Sequence, residues 1–144
     1  MKNKIIKSIY IFIAFIQVVL ITAVFIIDNL TSKKAGVNHH IYYRRHQFEQ
    51  NIYSINNLLW QNILAVVLGI IFLIFLIFAI KYRKSLFVKI QLSITVVLSF
   101  LLSGIISSQF FIDKLAYPYF IMVFQLILII QILFIIVMGF VKIY

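Results

Sequence analysis

The chain has 144 residues and a formal net charge of +10, from 13 Lys and Arg against 3 Asp and Glu; 65% of it is hydrophobic and 11% charged. A soluble domain has about a quarter of its residues charged and roughly half apolar, so this chain has too little polar surface to cover itself in water, and its solvent is lipid. Cysteine is absent, which excludes disulfides, thiolate metal sites and cysteine nucleophiles.

Length allows one domain, so the expectation is a single integral membrane domain over residues 1–144. A helix needs about 20 apolar residues to cross a bilayer. Four runs qualify: Ile9–Ile27, Ile63–Ile80, Ile90–Phe111 and Leu115–Val141, none containing Asp, Glu, Lys, Arg or His. Backbone groups in hydrocarbon must bond within their own segment, which predicts helices. A β-barrel would alternate over segments of about 10 residues, and these runs do not. The predicted fold is an all-α membrane protein, a four-transmembrane-helix bundle with an amphipathic helix on its outer face between spans one and two.

The opening "MKNKIIK" has the basic character of a signal peptide. The apolar run behind it exceeds the usual stretch of about 7–15 residues, and no small-x-small site precedes Asp28, so an uncleaved first span is expected. Gln17 is a polar group inside it, expected to face the bundle interior or another subunit.

Residues 28–62 form the outer loop. Its first part, "DNLTSKKAGVN", is rich in Asn, Ser, Lys and Gly and reads as flexible. The sequon "NLT" abuts the end of span one and is read as chance. In the second part Ile41, Phe48, Ile52, Ile55 and Leu59 recur at helical steps, predicting an amphipathic helix over about 41–60 that bends into span two. His39, His40, Tyr42, Tyr43, Arg44, Arg45, His46 and Trp60 are its candidate interaction surface, with stems in the apolar zone and heads in water.

All three histidines fall here, which raises the question of a metal. Ligands on one helix must stand three or four residues apart, and His39, His40 and His46 do not. Only His46 with Glu49 has usable spacing, and the surrounding cations oppose a metal ion, so neither metal nor cofactor is expected. Histidine titrates near about 6.5, so pH sensitivity of this face is the remaining hypothesis. Replacing all three by Gln and comparing binding at about pH 5 and 8 tests it.

Span two carries one small-xxx-small pair, Ala65 and Gly69, and span three a ladder at every fourth residue: Gln91, Thr95, Ser99, Ser103 and Ser107. Such a row drifts only about 40° per step, so it holds one face. Small hydroxyl residues let helices approach closely, and a packing seam is the first reading; a polar path is the second. No ionisable group stands mid-membrane, as an ion path would require. In span four, Pro118 lies at the start, where its missing N–H costs little. Gln125 and Gln131 lie within the run and are expected to face inward.

With the N-terminus inside, the inner segments hold Lys2, Lys4, Lys7, Lys81, Arg83, Lys84, Lys89 and Lys142 and no acid, while Asp28, Glu49, Asp113 and every histidine fall outside. The positive-inside rule therefore predicts N-in and C-in. Tyr10, Tyr82 and Tyr144 fall near the inner interface, and Trp60, Tyr117 and Tyr119 near the outer one. The expected location is the plasma (inner) membrane of a bacterium, with an organelle inner membrane as the alternative. Expected partners are anionic lipid headgroups at the inner face and another membrane protein or a second copy. Nucleic acid is not expected, because the cations sit at the ends of apolar runs and form no groove-sized patch.

The sequence holds no Gly-rich phosphate loop, no G-x-S-x-G and no HExxH. The leading expectation is a non-enzymatic membrane protein acting by association, as an accessory subunit, a regulator or an immunity or stress protein. The alternative is an oligomeric transporter or channel lined by the span-three ladder. A lipid- or quinone-binding membrane enzyme is the third.

Overall fold

A computed structural model describes residues 1–140, the side chain of Lys2 excepted. The described residues form helices and no strand: α1 Lys2–Lys33, α2 Ala35–Gln50, α3 Ile55–Lys81, α4 Leu86–Ser107, α5 Gln109–Ile112 and α6 Tyr117–Phe140. Four of them, α1, α3, α4 and α6, are long and apolar enough to cross a membrane. The shortest, α4 with 22 residues, makes a rod of about 33 Å, against a hydrocarbon thickness of about 30 Å. Val141, Lys142 and Tyr144 lie outside the described residues.

The breaks between helices differ from the expected ones. α1 continues through "DNLTSK", which is therefore helical. Thr31 and Ser32 return their hydroxyls to the carbonyls of Ile27 and Asn29. The helix stops where Lys34 turns extended, and Asn38 Nδ2 donates to the Thr31 carbonyl across the break. The helix expected over 41–60 is two helices. α2 ends at Gln50, Asn51 leaves helical geometry (φ −117°, ψ −95°), and Ser54 caps α3 by accepting from Asn57 N–H. Amides one and two turns into α3 fix this corner: Asn57 donates to the Asn51 carbonyl and Gln61 to the Ile52 carbonyl. The expected apolar stripe is cut accordingly. Ile41 is buried and Phe48 half-buried, but Ile52, Ile55 and Leu59 are exposed. The third run divides as well, because Ser108 is extended and sets α5 apart from α4.

The long helices stand in the order α1, α6, α4, α3, with α2 lying against α1 and α6. The flanking helices α1 and α3 make no substantial contact with each other, so the four form a row and not a closed ring. α1 shows why. Its buried or half-buried positions Ile6, Tyr10, Ile13, Gln17, Val24 and Thr31 form one stripe, which serves one long-helix neighbour, α6. α4 buries two: Gln91, Thr95 and Ser99 beside Leu92 and Val96.

Sequential long helices run antiparallel. Ile6 near the start of α1 packs with Phe134 and Met138 near the end of α6, and Tyr10 meets the rings of Phe87 and Phe134 at 5.6 and 5.7 Å. That end gathers Lys4, Lys7, Lys81, Arg83, Lys84 and Lys89, and among the described residues no acid. The opposite end holds Asp28, Glu49, Asp113 and α2.

Candidate functional site

Two polar constructions occupy this frame. The first joins α4, α6 and α1, at the middle of α1, past the middle of α6 and within the first two turns of α4. Gln131 donates to Gln91 Oε1 at 2.8 Å and accepts from Gln17 Nε2 at 3.1 Å, so one amide links three helices. Thr95 returns its hydroxyl to the Gln91 carbonyl at 2.9 Å. Gln91, Thr95, Ser99 and Gln131 are fully buried; Gln91 Nε2 and Ser99 Oγ have no hydrogen-bond partner. Nearer the acidic end the ladder turns to α3: Ser103 donates to Asn62 Oδ1, and Asn62 Nδ2 donates to Ser107 at 2.8 Å. Each member of the ladder thus faces a neighbouring helix or the α4 interior of this same chain, with Ser107 exposed at the last step.

The second construction is the acidic end. Arg45, on the inward side of α2, donates to the carbonyls of Lys114 and Ile112 (2.9 Å for the latter) and to Glu49 at 2.7 Å. Its guanidinium lies 5.9 Å from the Tyr117 ring centroid. Lys114 in turn pairs with Asp28 of α1 at 3.0 Å. Phe48 stands edge-on to Tyr53 and Tyr119. Tyr53 donates to Gln125, which donates to Gln61 at 2.8 Å. Burial pushes the Tyr53 hydroxyl above the usual phenol range. These contacts pin one side of α2 to the body.

The other side of α2 is open. His39, His40, Tyr42, Tyr43, Arg44 and His46 are exposed, and Trp60 is exposed on α3. Of the eight residues expected to form this surface, Arg45 is the one turned inward. His46 and Glu49 have separate partners: the His46 ring meets Gln50 Nε2 at 3.0 Å, while Glu49 is paired with Arg45. Among the described residues no three His, Cys, Asp or Glu side chains converge as metal ligands.

Between the pinned side of α2 and the adjoining ends of α3 and α4 lies a cleft of about 540 Å³. Its walls are Ile55, Leu58, Leu59, Ile106 and Ile112; its polar groups are Arg45, Glu49, Asn62 and Ser107, with Tyr53 and Tyr117. A mostly apolar hollow with a few convergent polar groups is the usual form of a ligand site. Asn62, which lines the cleft, and Gln61, which ties Gln125 to the α2–α3 corner, are positions that sequence reasoning passed over. They stand at the edge of an apolar run, and the available signal was amides at helical spacing, Asn57 with Gln61. Comparison with protein-family models, curated proteins and solved structures finds no match to this chain.

Proposed function

We propose that the protein is inserted in a bacterial plasma (inner) membrane, with both termini inside, and acts without catalysis by associating with another membrane component through the open face of α2. The observation that carries this reading is the two-sidedness of α2. Arg45, Ile41 and Phe48 hold one side against the helix ends, leaving the side that carries His40, Tyr43, Arg44 and His46 exposed. Tyr and Arg are the side chains over-represented where partners meet, because each gives large contact area together with a polar handle. The buried ladder supports association over a path lined by α4, since Gln91, Thr95 and Ser99 are occupied by packing within one chain.

The test is photo-crosslinking in intact cells with a reactive residue at Tyr43 and, as a control, at Val67 on the open face of α3. A discrete adduct from position 43, reduced when Arg44 and His46 are both changed to Ala, is the expected result. Adducts of equal kind and yield from positions 43 and 67 overturn the reading.

A further inference from the structure

The cleft at the acidic end carries a second binding function, resting only on the membrane placement and not on α2 docking. We propose that it holds the head and upper chain of a zwitterionic phospholipid whose head bears a primary ammonium. Charge sets the head. Arg45 and Glu49 face the cleft as a neutral pair, so a ligand of zero net charge leaves no charge uncompensated. Of five guanidinium N–H groups, three are spent on Glu49 and the Lys114 and Ile112 carbonyls, which leaves two for phosphate oxygens. Glu49 meets Arg45 through Oε1 and is 45% exposed, which leaves its other oxygen to accept from an ammonium.

Shape sets the tail. From Ile55 to Asn62 the cleft descends about 10 Å along α3, enough to pass the headgroup layer of one leaflet, about 5–8 Å thick, and reach the start of the acyl chain. Deeper down, Asn62 and Ser107 satisfy each other and make a neutral floor. A shallower groove of about 200 Å³ begins at the same Asn62 and runs on along Ile63, Val66 and Val67. A chain passing Asn62 thus meets a second, apolar groove on the open side of α3. A soluble zwitterion would have no use for that groove.

Native mass spectrometry of the detergent-purified protein tests this, with phosphatidylethanolamine, phosphatidylcholine or phosphatidylglycerol supplied separately. One phosphatidylethanolamine is expected to survive activation that strips the other two, because choline cannot donate a hydrogen bond and glycerol carries no cation. Glu49→Gln keeps the contact with Arg45 but loses the charge, and should weaken that retention about tenfold. Leu59→Trp, at an exposed wall position, should narrow the cleft and sharply reduce retention in a protein of unchanged helicity. Equal retention of all three lipids, or retention indifferent to both variants, means surrounding lipid only and overturns the proposal. Crosslinking through Tyr43 in a protein that retains no lipid sinks this proposal and leaves the association reading standing.

Discussion

Gln131 is a single side chain on which two others depend, and its removal is more damaging than its own hydrogen bonds suggest. Gln131→Leu strands the amide of Gln91 in a fully buried seam and that of Gln17 beside it. An orphaned buried amide costs about 1–3 kcal/mol, whereas replacing all partners together by apolar groups comes close to neutral. Thermal unfolding in detergent should therefore show Gln131→Leu well below the wild type and the triple change Gln17→Leu, Gln91→Leu, Gln131→Leu above that single variant. A triple variant weaker than the single shows that the amides contribute net attraction.

Arg83 makes the opposite case. It sits at φ 51° just after α3, where Lys84 N–H returns to the Ala79 carbonyl and Arg83 N–H to that of Ile80. This is the helix ending that glycine normally serves, and a side chain there costs about 1 kcal/mol. Arg83→Gly should raise the unfolding midpoint, while Arg83→Ala, with its Cβ retained, should not. Tyr53 supplies a pH dependence. Its hydroxyl, raised by burial, ionises later in the fold than in the unfolded chain. Its contribution to stability is thus complete below the ordinary phenol value of 10.0 and declines as pH climbs past it. Between about pH 9 and 11 the midpoint should fall less in Tyr53→Phe than in the wild type.

At the level of helices, the α3–α4 seam was legible and the α2–α3 corner was not. Ala65 and Gly69 stand four apart on one face, and both are buried where α3 meets α4. A Cβ on Gly69 would lie 3.0 Å from the tip of the Phe100 ring, and Phe100 is exposed enough for that ring to swing aside. Gly69→Ala should therefore be mild, whereas Gly69→Leu should force the helices apart and cost several degrees of midpoint. Gly104→Ala, which meets open space, should leave the midpoint unchanged and so controls for glycine replacement itself. The corner escaped notice because Ile41, Phe48, Ile52, Ile55 and Leu59 fit one unbroken helical period. What stops the helix is a set of side-chain amides reaching carbonyls across a turn, and hydrophobic spacing carries no trace of that. The cleft was hidden for the same reason. Arg45 looks like its neighbour Arg44 in sequence, and only packing sends one inward to three acceptors and leaves the other in the open.

For the whole molecule, the separation of charge between the two ends is the feature expected to set orientation. Lys4, Lys7, Lys81, Arg83, Lys84 and Lys89 share one end without an acid among the described residues, while the other carries Lys33, Lys34, Arg44, Arg45 and Lys114, with Arg45 paired to Glu49 and Lys114 to Asp28. The positive-inside bias counts Lys and Arg and gives acids little weight, so the end with more cations, six against five among the described side chains, is the one expected to stay inside. With no native Cys, single replacements at His40 and Tyr82, both exposed and at opposite ends, report this directly. An impermeant maleimide should label His40→Cys in intact cells and Tyr82→Cys only after lysis. Moving charge should move the answer: Lys81, Arg83 and Lys84 all changed to Gln, together with a three-lysine insertion at Gly36, should turn a fraction of molecules over, read as Tyr82→Cys labelling before lysis. Labelling at both positions in the unaltered chain would mean that charge at the helix ends does not govern insertion here, and the placement of α2 and its cleft on the outer face would lose its foundation.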